Sequence, residues 1–152
     1  MMNFSAAQSG IIEALRRFFQ LEASRFGVEA AFLYGSRAAG FARLDSDVDI
    51  AVLFDDNRLG EDELFERLTT ITLDLMKSLS LEVSVIPIYR DFRKPMLYYN
   101  AIIKGIPIFF VSRDKYSALI NEALYQMEDF ETFGRPWLID LATRNLQEIR
   151  DA

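Results

Sequence analysis

The chain contains no cysteine and no histidine in 152 residues. Without cysteine there is neither a disulfide framework nor a thiol nucleophile, and without histidine there is no imidazole base. Together the two absences exclude a zinc centre of the usual ligand types. Any bound metal must be hard and held by oxygen, and proton transfer falls to carboxylate, lysine or tyrosine. Long apolar runs are missing too: no stretch approaches the ~18 residues of a membrane-spanning helix. Met1-Met2-Asn3-Phe4-Ser5 lacks the charged start and apolar core of a secretory signal, so a cytoplasmic location is expected.

Positive charge is in the minority, with 17 basic against 23 acidic side chains and a net charge of −6. That balance argues against broad phosphate neutralisation, and so against nucleic acid as a direct partner. A small phosphorylated substrate needs only a local positive site and remains compatible. A hydrophobic fraction of 51% with 26% charged residues marks an ordinary folded globule rather than a disordered segment. The length suits one domain that buries roughly two-thirds of its unfolded surface.

Periodicity supplies the elements. Ile11, Ile12, Leu15, Phe18, Phe19 and Leu21 step near 3.6 residues behind Ser9-Gly10, predicting an amphipathic first helix. Val28 to Tyr34 reads as a buried strand ended by Gly35-Ser36. Asp47 to Phe54 begins with alternating acid and apolar residues and continues apolar, a strand with one polar face at its start. Leu64, Leu68, Ile71, Leu75 and Leu79 predict a helix behind the acidic turn Glu61, Asp62 and Glu63. Leu81 to Ile88 is the third strand, with Glu82, Ser84 and Ile86 on one face, and Pro87 limits pairing at its far end. Pro95 opens a helix through about Lys104, Gly105 stops it, and Ile106 to Val111 forms a fourth strand. Tyr116 to Phe130 and Leu138 to Ile149 read as helices, the second beyond Gly134-Arg135-Pro136. The order predicts an α+β fold, a small mixed sheet of about four strands with helices packed on it.

The chemistry concentrates in Gly35-Ser36-Arg37-Ala38-Ala39-Gly40 and Asp45-Ser46-Asp47-Val48-Asp49. Asp47 and Asp49, two apart on a strand, project from one face at a separation suited to hard cations. Gly35 lets backbone approach a ligand closely, and Ser36 with neighbouring amides can donate to phosphate oxygens. Glu82 meets both aspartates if its strand lies beside theirs. Three carboxylates within about 5 Å repel by roughly 3 kcal/mol per pair at an effective dielectric near 20. A divalent cation is the neutraliser; without one, at least one acid should have a raised pKa.

Gly35-Ser36, the ten-residue spacer, Asp47-Val48-Asp49 and Leu81-Glu82-Val83 resemble, in order, the signature of the minimal nucleotidyltransferases of the DNA polymerase β-like superfamily. Asn100 to Phe110 is similar to that family's helix-Gly-strand ending. The resemblance implies transfer of AMP from ATP to a hydroxyl. Asp47 and Asp49 would hold Mg²⁺, two ions in such a mechanism, and Glu82 would complete a metal site or accept the hydroxyl proton. Gly35 and Ser36 would grip the β- and γ-phosphates, and Arg37 and Arg43 would oppose pyrophosphate charge. Arg37 has an ordinary alternative as an ion-pair partner of Asp45.

Residues 1–132 would be the minimal nucleotidyltransferase domain and residues 133–152 a helical tail. In that tail Phe133, Trp137, Leu138 and Leu141, together with Phe130 just before it, either fold back on the sheet or face a partner. Because so little chain follows the catalytic domain, something else must supply the acceptor. The resemblance is to antitoxins that adenylylate a tyrosine of a HEPN ribonuclease toxin. Transfer to a small molecule such as an aminoglycoside, and neutralisation of a partner by contact alone, are the alternatives. Arg90 to Tyr99 mixes cations with aromatics, but the acidity of the chain favours a loop-to-helix segment with Tyr98 and Tyr99 half-buried over a nucleic-acid surface.

Overall fold

A computed structural model describes residues 6–40, 46–56 and 58–129. Helix α1 (Ala6–Phe26) buries Gln8, Ile12, Leu15, Phe19, Ala23 and Phe26, one stripe at steps of three and four. It starts earlier and ends later than its apolar residues alone suggest. Leu21 is not part of the stripe and is 74% exposed. Strand β1 (Val28–Tyr34) follows, then the single turn of α2 (Ser36–Ala39), strand β2 (Val48–Phe54), helix α3 (Glu61–Leu79), strand β3 (Val83–Pro87), helix α4 (Pro95–Ile102), strand β4 (Ile106–Phe110) and helix α5 (Arg113–Asp129). The predicted final helix and the boundary at residue 132 lie outside the described residues.

The strands form one mixed sheet in the order β3-β2-β1-β4. Strand β1 pairs antiparallel with β2 and β4, whereas β2 and β3 run parallel, with α3 as the connection that a parallel pair requires. Pro107 lacks an N–H, and the β1–β4 register shifts beside it, with Ala31 opposite Phe109 but Phe32 opposite Pro107. An edge strand is where such a residue is tolerated. Strand β3 is shorter than the predicted Leu81 to Ile88. It starts only after Ser80, a left-handed residue with φ 54°, closes α3 by donating to the Met76 carbonyl, and Pro87 ends it.

Alternation along β2 divides the core. Val48, Ile50, Val52 and Phe54 pack with α1 and α3, and Ala51 and Leu53 pack with α4 and α5. Helices therefore cover both faces of the sheet. Gly105 is required where α4 returns to β4, because a Cβ there would lie 2.7 Å from the Leu33 carbonyl oxygen and closer still to that of Ala101.

Both arginines of the segment after β3 have partners within the fold. Arg90 donates to the Glu29 carboxylate at 3.1 Å and to the Phe54 carbonyl at 2.9 Å, and Lys115 meets Glu29 at 3.2 Å. Arg93 pairs with Asp91 and lies 3.8 Å over the Tyr89 ring. Tyr98 is buried outright at 1% exposure, not half-buried, because its ring packs edge-on against Phe92 and its hydroxyl accepts from the Tyr89 N–H. Tyr99 is half-buried as expected.

Candidate active site

The site begins where β1 ends. Gly35 has φ 77° and ψ −153°, a conformation open to glycine and strained for other residues. A Cβ on it would meet Asp49 Oδ2 at 2.5 Å, so the turn and the acid strand approach as closely as they do only because residue 35 has no side chain. Ser36 starts the α2 turn and is exposed, Ala39 N–H donates to the Gly35 carbonyl at 3.1 Å, and Gly40 closes the turn with φ 82°.

By the alternation of β2, Asp49 shares the α4/α5 side of the sheet with Ala51 and Leu53, and Asp47, just ahead of the strand, follows the same alternation. Asp47 is exposed and Asp49 half-buried. The Asp49 carboxyl is held above its ordinary range, first by burial and second by the charge of Asp47. Tyr34 stands opposite Asp49 in the β1–β2 register. Its phenol is raised by burial and then by Asp49. Its position directly before the glycine-serine turn was the available sequence signal for it.

The third predicted acid stands just ahead of β3. Strand β3 is indeed the neighbour of β2, but Asp49 faces Ser84, and Glu82 precedes the strand. The Glu82 carbonyl accepts from Val48 N–H at 2.9 Å, and its side chain is exposed. Among the described residues no three acidic side chains gather closely enough to hold one metal ion. The structure thus brings Asp47 and Asp49 together on one face beside Gly35, with Glu82 exposed one residue ahead of Val83, the partner of Val48.

Arg37 turns inward and is only 3% exposed. Its Nε and Nη2 donate to the Ser46 carbonyl at 3.0 and 2.7 Å, and its Nη1 donates to Gln8 Oε1 at 3.4 Å. Gln8 in turn donates its side-chain N–H to the Arg37 carbonyl. The guanidinium that the sequence offers to a phosphate thus spends these donors inside the fold. Gln8 was legible only as a polar residue in register with Ile12, Leu15 and Phe19. Arg43 lies outside the described residues.

Two carboxylates on one strand face, one of them held above its ordinary range, make an oxygen donor set suited to a hard divalent cation, whose charge would relieve their repulsion. The profile of the polymerase beta nucleotidyltransferase domain matches residues 15–115, which include both aspartates and the glycine-serine turn. The chain belongs to that nucleotidyltransferase family.

Solved structures carry the same fold. A toxin-antitoxin structure with AMP-PNP superposes with a TM-score of 0.65 at 17% identity, covering 85% of this chain and 98% of the other. The MntA-HepT toxin-antitoxin structure gives 0.62 at 16% identity over 86% and 97%. A tri-AMPylated HEPN toxin of Shewanella oneidensis in complex with its MNT antitoxin gives 0.62 at 15% identity over 87% and 98%. No curated protein sequence matches the chain significantly. Among the described residues no helix of this nucleotidyltransferase is long and apolar enough to cross a membrane.

Proposed function

We propose that this chain is a Mg²⁺-dependent nucleotidyltransferase that moves AMP from ATP to a tyrosine hydroxyl of a partner HEPN ribonuclease toxin, and so acts as its antitoxin. The observation that carries the reading is the Asp47–Asp49 pair set against the Gly35 turn. Family membership supports the reaction class, and the structural likeness to antitoxins bound to HEPN toxins, one of them AMPylated, supports the acceptor.

In the reaction the tyrosine oxygen forms a bond to the α-phosphorus, the bond to the β-phosphate oxygen breaks, and pyrophosphate leaves. Asp47 and Asp49 are the residues that would hold Mg²⁺, which supplies charge neutralisation for the triphosphate and the developing pyrophosphate. Gly35 lets Asp49 approach the turn, and Ser36, exposed at its start, would donate to a phosphate oxygen. Glu82, exposed just ahead of the adjoining strand, is the candidate to take the phenolic proton or to add a ligand. Residues 1–132 carry this chemistry, and 133–152 contribute packing or partner contact. Because the donor is ATP, the cytoplasm is the compartment for it.

The test is incubation of the purified chain with labelled ATP and Mg²⁺, alone, with its partner protein, and with aminoglycosides. Label on a partner tyrosine is the expected result. Label on an aminoglycoside would overturn the acceptor. Neutralisation of the partner that survives Asp47→Asn with Asp49→Asn would overturn the enzyme reading altogether.

A further inference from the structure

We propose that Arg37 is a positioning residue: with Gln8 it forms a buried clamp that fixes the segment leading into the acid strand relative to the glycine-serine turn. The proposal rests on the nucleotidyl-transfer reading for its kinetic consequence, and on the structure alone for the clamp. The residue's neighbours in sequence suggest a phosphate ligand, but its surroundings suggest otherwise.

A guanidinium is costly to bury unless its donors are used. Here two of them converge on one acceptor, the carbonyl of Ser46, the residue immediately before Asp47. A third reaches Gln8 Oε1, and the Gln8 amide donates back to the carbonyl of Arg37 itself. The reciprocal pair joins the first turns of α1 to α2, and the fork joins α2 to the start of β2. Three pieces of chain are thereby tied at one point. Gly35 stands two residues before Arg37 and Asp47 one residue after Ser46, so a slip at this clamp moves the turn against the acids. A misplacement of about 1 Å in such a site costs on the order of 100-fold in rate.

The clamp and a phosphate contact make opposite demands on the side chain. A lysine supplies a point charge to phosphate but cannot reproduce a planar fork on one carbonyl. Arg37→Lys, Arg37→Met and Gln8→Ala are compared by amide hydrogen exchange without nucleotide, by AMP-PNP affinity, and by kcat and KM for AMP transfer. Expected are at least tenfold faster exchange over residues 46–49 in all three variants, AMP-PNP affinity within about threefold of the parent, and a kcat at least tenfold lower in both Arg37 variants. Gln8→Ala, which leaves the guanidinium in place, shifts kcat in the same direction and not KM. If Arg37→Met fails to fold, Gln8→Ala and Arg37→Lys carry the comparison. Unchanged exchange at 46–49, or restoration by lysine of nucleotide affinity lost in Arg37→Met, would overturn the clamp. If the parent protein transfers no AMP at all, the catalytic reading fails, while exchange at 46–49 still decides the clamp.

Discussion

Gly35 and Asp49 stand so close that a methyl group on the glycine would lie 2.5 Å from the carboxylate oxygen Oδ2. The glycine also has φ 77°, so alanine there meets backbone strain and a clash at once. Alanine at positive φ typically costs more than about 1 kcal/mol, and the side chain most able to move aside is Asp49 itself. Gly35→Ala is therefore expected to lower AMP transfer by about 100-fold while lowering thermal stability only modestly. Matched kinetics and thermal unfolding check this, and a fully active Gly35→Ala would refute the close approach.

How much of this was legible in the sequence depends on the range of the interaction. The four strands, the helices between them and the shared face of Asp47 and Asp49 follow from local periodicity, and the fold obeys it. Strand β3 was read two residues too early because alternation in Leu81 and Glu82 says nothing of the left-handed Ser80 that still closes α3. The surroundings of Arg37 are hidden from the sequence for a different reason. Whether a guanidinium meets phosphate or a carbonyl is decided by Gln8 and Ser46, which only the folded chain places beside it. Tyr98 likewise looked half-wet until Phe92 and the Tyr89 N–H closed around it.

Asp49 gives the protein a specific pH response. Its folded pKa lies above the ordinary 3.8, through burial first and Asp47 second, so the folded state binds this proton more tightly than the unfolded chain does. The stability this contributes is fully present below about 3.8 and is lost as pH rises through the folded value. In metal-free buffer at pH 7, Asp49→Asn should melt at a higher temperature than the parent, and the gap should close as pH falls through that value. Mg²⁺ should raise the melting temperature of the parent more than that of Asp49→Asn. Thermal scans from pH 7.5 to 4 with chelator and with Mg²⁺ check the sign; an asparagine variant less stable at pH 7 would contradict it.

Glu82 and Ser84 separate two versions of the site. Ser84 faces Asp49 across the parallel pair, and Glu82 lies two residues earlier, just ahead of the strand. If Glu82 takes part in catalysis, Glu82→Gln lowers kcat by tenfold or more, in the range of a lost general base, with AMP-PNP affinity held. Ser84→Asp places a third carboxylate opposite Asp49, so it should raise the Asp49 pKa further and tighten Mn²⁺ binding several-fold. Titration of Mn²⁺ by paramagnetic resonance, alongside kinetics, reads both. A fully active Glu82→Gln would leave Asp47 and Asp49 as the acids of the reaction.

Gly105 offers the complementary control, a glycine whose loss should damage the fold and not the chemistry. A Cβ there would strike the backbone carbonyls of Ala101 and Leu33, atoms that cannot swing aside as a carboxylate can. Leu33 is buried in β1 and Ala101 in α4, which packs on that strand, so relief requires moving α4 off the sheet. Overpacking of this kind costs about 1–3 kcal/mol, or more where backbone must shift. Gly105→Ala should thus lower the denaturant midpoint by more than Gly35→Ala does, while the fraction that remains folded keeps its KM for ATP. The two glycines differ in what faces them: at 35 the obstacle is the flexible side chain of Asp49, and at 105 it is the frame of the sheet.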